Sequence, residues 1–130
     1  MEYHKIETLY ERDETTHRLK VPLVLKNRVY GLLNSWVFTE KIDGTNIRCI
    51  WKNGQLSFGG KTDNAQIHAA LIKWLYEHIG PENLRLAFPD ASNVVLYGEG
   101  YGAGIQKGGG DYSETKQLIL FDVAVFDEDR

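Results

Sequence analysis

Asn46-Ile47-Arg48-Cys49-Ile50-Trp51-Lys52-Asn53-Gly54-Gln55-Leu56-Ser57-Phe58 reads as two strands and the turn that joins them. β-Branched and aromatic residues dominate Asn46 to Lys52, and they fit a pleated, half-buried surface. Asn53-Gly54 tolerates the positive φ angles of a two-residue type I′ turn, so Gln55 to Phe58 should return antiparallel. Alternation then sets Ile47, Cys49 and Trp51 on one face and Asn46, Arg48 and Lys52 on the other, with Ile50 interrupting the polar side. Asn46 and Arg48 therefore point the same way.

Working outward, Val37 to Ile42 reads as a further strand before this hairpin. After it, Ile67, Ala70, Leu71, Trp74, Leu75 and Ile79 recur at helical spacing. Asp63 and Asn64 stand ahead as capping residues, and Gly80-Pro81 ends the run. The apolar stripe of this helix is core. Val94 to Tyr97 and Leu118 to Phe126 are apolar runs of the kind expected for strands in the middle of a sheet. Between them, seven of the thirteen residues from Gly98 to Gly110 are glycine, which marks a loop able to bring its backbone close to a ligand. Met1 to Lys20 is charged and weakly periodic, and either a lead-in helix or a wrapped arm fits it. No linker or internal repeat divides the chain, and several strands are joined too tightly for parallel crossovers. The expected class is α+β, a largely antiparallel sheet with flanking helices, in one domain.

At 130 residues, the formal net charge of -3 and pI near 5.8 exclude a protein that binds nucleic acid by broad charge neutralisation. Any polynucleotide contact must be a local patch. The single cysteine, Cys49, cannot form an intramolecular disulfide and reads as a small core residue. His4, His17, His68 and His78 lack partners at metal-site spacing, so no zinc is expected. No apolar run is long enough for a membrane span or signal peptide, and a reducing cytoplasm is the expected setting.

Glu40-Lys41-Ile42-Asp43-Gly44-Thr45-Asn46 is the most informative segment, because a lysine at the end of an apolar strand and before a glycine turn can be held firmly. In a poorly solvated or cationic cleft its ammonium loses its proton more easily and becomes a nucleophile. Read alone, Lys-x-Asp-Gly is more often an exposed hairpin end than a catalytic site. Two rival phosphate motifs fail. Gly60-Lys61-Thr62 ends like a P-loop, but the first glycine of that pattern would have to stand at Gln55. Gly98-x-Gly100-x-Gly102 lacks the βαβ setting of a dinucleotide fingerprint.

The segment is similar to motif I, Lys-x-Asp-Gly, of the covalent nucleotidyltransferases: ATP-dependent DNA ligases, RNA ligases and mRNA capping enzymes. Leu96-Tyr97-Gly98-Glu99 resembles motif III, Leu120-Phe121-Asp122-Val123 resembles motif IIIa, and Gly59-Gly60-Lys61-Thr62-Asp63-Asn64 sits where motif Ia is expected. Asn46, where DNA ligases and capping enzymes usually carry arginine, points to the RNA ligase branch.

The resemblance implies the N-terminal part of an adenylation domain and an ATP-dependent RNA ligase, with ATP, Mg²⁺ and RNA ends as its partners. It makes Lys41 the nucleophile that becomes lysyl-AMP. It gives Glu99 the ribose hydroxyls, Phe121 the adenine ring, and Glu40 with the backbone at Ile42 the base edge. Asn46 and Lys61 would join the nucleotide site, and Arg48 would contact phosphate or an RNA end. No resident metal ligand is implied. Lys61 departs from the arginine usual at its landmark and loses the bidentate fork. Motifs IV and V occur nowhere in residues 1–130, which suggests a truncated reading frame or a degenerate homologue that self-adenylylates weakly or not at all. The competing expectations are a non-catalytic nucleotide- or RNA-binding module, a DNA ligase and a capping-type guanylyltransferase.

Overall fold

The computed structural model describes residues 1–126. The chain forms two compact units, one made of residues 1–3 and 41–130 and the other of residues 4–40.

The larger unit contains β1 (Thr45–Lys52), β2 (Gln55–Gly59), α1 (Ala69–His78), α2 (Pro81–Ala87), β3 (Asn93–Tyr101), the single turn α3 (Gly109–Tyr112) and β4 (Gln117–Phe126). The strands form one sheet in the order β2-β1-β3-β4, and every neighbouring pair is antiparallel. The class is α+β. Asn53 and Gly54 turn with φ of 50° and 78°, both positive as type I′ requires, and Lys52 faces Gln55 across the closed hairpin.

One face of β1 buries Ile47, Cys49 and Trp51 against Leu71 and Leu75 of α1, Leu84 of α2, and Val94 and Leu96 of β3. Full burial of each large aliphatic side chain contributes roughly 1.5–3 kcal/mol. Cys49 is wholly enclosed, and burial pushes its thiol up to about 12. The reactive thiolate is therefore scarce at neutral pH. In native buffer an aromatic disulfide reagent should modify Cys49 at below ~1% of the rate seen in denaturant; comparable rates would contradict this packing.

Three expectations change. The helix starts at Ala69, capped by Nδ1 of His68, which accepts from the Ala70 N–H at 3.3 Å. Asp63 is engaged elsewhere, paired with Arg48 at 2.9 Å, while the Ala65 N–H closes a turn on the Thr62 carbonyl. Residues 37–42 form no strand. Val37 and Phe38 are 89% and 87% exposed, and an apolar run becomes a strand only where a neighbouring backbone pairs with it. β4 is an edge strand rather than a central one. Its Ile119, Leu120, Phe121, Val123 and Val125 are all exposed, because apolar content records an affinity for burial and not a position in the sheet.

In the smaller unit, isolated bridges pair Tyr10 with Leu25 and Arg12 with Leu19. Asp13 turns the chain by accepting from the Thr15 and Thr16 N–H groups at 3.1 and 2.7 Å. A 3₁₀ helix at Arg28–Leu32 is capped by the Asn27 side chain. Residues 1–20 thus form no lead-in helix. Among the described residues no helix is long and apolar enough to cross a membrane.

Candidate active site

Lys41 lies four residues ahead of β1, in a turn pressed against β3. The Gly44 N–H donates to Oε1 of Glu99 at 3.2 Å, and the Gly44 carbonyl accepts from Nε2 of Gln106 at 3.0 Å. A Cβ at position 44 would stand 2.2 Å from the Gly100 carbonyl oxygen, so only glycine permits this approach. Lys41 is exposed, and no ion pair holds it among the described residues.

Glu99 is half-buried, and burial raises its carboxyl above the ordinary 4.5, opposed by the Gly44 N–H and the Lys41 charge and reinforced by Asp43. A carboxyl raised in the folded state favours folding most when protonated, and this contribution is lost as pH rises through the raised value. Glu99→Gln should therefore melt higher than the parent at pH 7, with the difference shrinking below pH 4.5. A lower melting temperature at pH 7 from calorimetry would contradict the burial argument.

Asn46 stands opposite Glu99, and Arg48 opposite Tyr97, across the β1–β3 ladder. Directly opposed residues share a face, so these four side chains lie together on the sheet surface away from the core. Tyr97 in turn faces Asp122, whereas Gly98 faces Leu120. Phe121 is thus the extra residue of a β-bulge, which re-aims its side chain. Tyr3 bridges to it. The Tyr3 ring lies 4.8 Å from Tyr97 and 5.2 Å, edge-on, from Phe121, and its hydroxyl donates to Asp122 at 2.9 Å. Tyr97 and Phe121 therefore flank one side chain, and Phe121 keeps about half its surface, 47%, open.

Arg48 is not a solvated residue: it is 1% exposed. Its Nε donates to the Gly60 carbonyl at 2.7 Å, and its Nη2 pairs with Asp63 at 2.9 Å. These partners flank Lys61, so the guanidinium holds the loop that carries this exposed lysine. A Cβ on Gly59 would meet Nη2 at 3.0 Å, which keeps room for it. Among the described residues, two buried polar atoms on this face, Nη1 of Arg48 and Oδ1 of Asn46, have no hydrogen-bond partner. A buried orphan costs about 1–3 kcal/mol, and a water, an ion or a ligand group can satisfy it.

A family model for RNA ligase matches residues 34–130. The chain belongs to the RNA ligase family. No curated protein matches it. Of the residues that the RNA ligase resemblance singled out, the larger unit gathers Lys41, Ile42, Asn46, Arg48, Glu99 and Phe121 on one sheet face and the turn at its end. Lys61 is tied to that face through Arg48. Glu40 belongs to the smaller unit and is exposed there. Sequence reading missed Gln106 and Tyr3. An amide in a glycine-rich loop and a lone tyrosine near the start carry no local pattern, and only the topology brings them to motifs I and IIIa.

Proposed function

We propose that this chain is an adenylyl-transferring domain of an ATP-dependent RNA ligase. The observation that supports the reading most is the pinned turn after Lys41, next to a half-buried glutamate and on the same face as a half-open phenylalanine and two orphaned polar atoms. Purine, ribose and phosphate each find a partner of suitable chemistry there. Phe121 offers a flat apolar surface to adenine, Glu99 accepts from ribose hydroxyls, and the orphaned Oδ1 of Asn46 suits a further sugar hydroxyl.

The neutral amine of Lys41 attacks the α-phosphorus of ATP. The N–P bond forms, the bond to the bridging oxygen breaks, pyrophosphate leaves and the amine proton passes to solvent. AMP then moves from the lysine to the 5′-phosphate of an RNA strand. Attack by a 3′-hydroxyl forms the phosphodiester and releases AMP. Mg²⁺, which the family implies, finds no group of three carboxylate, histidine or cysteine side chains able to hold it among the described residues.

The test is incubation with α-labelled ATP or GTP and Mg²⁺, then denaturing electrophoresis. Label from ATP is expected. It should be weak, because Arg48 is committed beneath its loop and Lys61 is exposed, so neither is a fixed cation that brackets the transferred phosphorus. Label from GTP alone points to capping chemistry. Binding without label points to a non-catalytic module. If ATP labels, preferential discharge by nicked RNA over nicked DNA supports the RNA assignment, and the reverse preference opposes it.

A further inference from the structure

We infer that Gln106 is a positioning residue for Lys41, a role that rests on reading Lys41 as the nucleophile. The glycine content of residues 98–110 suggests a slack loop, yet the segment before Gln106 is anchored. Ile105 is buried in the core at 8% exposure, and its N–H donates to the Gly102 carbonyl at 3.1 Å. The Ala103 N–H donates to the Ser113 carbonyl at 2.9 Å, and the Lys116 ammonium donates to the Ala103 carbonyl. Gly102 has φ of +118°, and a Cβ there would lie 2.1 Å from the Thr115 carbonyl oxygen. The backbone that presents Gln106 is therefore fixed, and its side-chain amide donates to the Gly44 carbonyl.

That contact matters because the peptide groups around Gly44 are the last fixed points before Lys41. The N–H of Gly44 is satisfied by Glu99 and its carbonyl by Gln106. Residues 41–43 belong to no ladder. If the carbonyl is released, the turn can pivot about the remaining Glu99 bond, and the backbone that carries Lys41 loses its fixed distance from the sheet face. Misplacement by about 1 Å can cost on the order of 100-fold in rate. Binding of the nucleotide to Phe121 and Glu99 does not depend on this contact, so the loss should fall on the rate and not on affinity.

Gln106→Glu keeps the shape but removes the donor, and Gln106→Ala removes both. In the full chain, amide exchange at Gly44 should speed up at least about tenfold in either variant. Exchange at Cys49 and Leu96, inside the β1–β3 ladder, should not change. The initial rate of Lys41-dependent labelling by ATP should fall roughly 10- to 100-fold, with the half-saturating ATP concentration shifting less than about threefold. Unchanged Gly44 exchange, unchanged labelling rate, or equal loss of protection throughout the ladder would overturn the proposal. A parent chain that binds ATP but never labels would overturn the reading of Lys41 and this role with it. Gly44 exchange would still report separately whether Gln106 orders the turn.

Discussion

Arg48→Ala should destabilise the chain by about 3 kcal/mol and lower its melting temperature by about 10 °C. The guanidinium is 1% exposed, so truncation leaves a cavity beside β1 as well as an unpaired carbonyl at Gly60, whose donor was Nε at 2.7 Å. Asp63 responds differently. Its side chain is 83% exposed and is rehydrated when its partner goes, which keeps the loss below that of breaking a fully buried pair. The parent already carries the cost of an orphaned Nη1, and alanine relieves it, reducing the net effect further. Arg48→Met, which fills the volume without donors, should recover about half of the loss. Urea unfolding measures both, and a loss under about 1 kcal/mol for Arg48→Ala would show that the guanidinium is not the tie between β1 and the loop of Lys61.

The arrangement of this tie explains part of what a reader of residues alone sees and misses. The hairpin was legible because Asn53-Gly54 meets a strict backbone requirement, and the alternation of β1 was legible because its core face is continuous. Placement of Asn46 beside Arg48 on one face followed from the same period. The polar face of a strand, however, says nothing about what packs over it, and Arg48 proved buried beneath residues 59–63. The start of α1 was hidden for a related reason: Asp63 is a good capping residue by type, but an arginine fifteen positions earlier claims its carboxylate. The apolar runs at residues 37–42 and 118–126 look alike, yet one forms no strand and the other an exposed edge. Strand pairing is a relation between segments, and no single segment encodes it.

The candidate site divides along the same line. Lys41, Glu99 and Phe121 stood out because three short motifs recur in a fixed order, and the β1–β3 ladder brings the first two to the same end of the sheet. Gln106 and Tyr3 reach that site by long-range contacts across 62 and 119 positions. Nothing in their immediate neighbours predicts such partners. The bulge that singles out Phe121 depends on a register shift between β3 and β4, which is likewise invisible in either strand alone.

Replacement of Lys41 should abolish covalent labelling, with a loss of about a thousandfold or more. Both Lys41→Ala and Lys41→Arg should fail, for different reasons. Alanine has no amine, whereas arginine retains length and charge but keeps its proton at any pH the protein survives and so offers no free electron pair. Neither change should disturb the fold, because Lys41 is exposed and precedes the first strand. Equal melting temperatures with labelling lost in both variants would separate a chemical role from a structural one. Retention of label in Lys41→Arg would show that charge alone suffices at this position.

Peptide mapping by mass spectrometry after incubation with ATP and Mg²⁺ bears most directly on the nucleophile. A single AMP adduct is expected on the peptide containing Lys41, stable to base, released by acid and absent from Lys41→Ala. An adduct on Lys61 or another lysine that persists in Lys41→Ala would contradict this assignment.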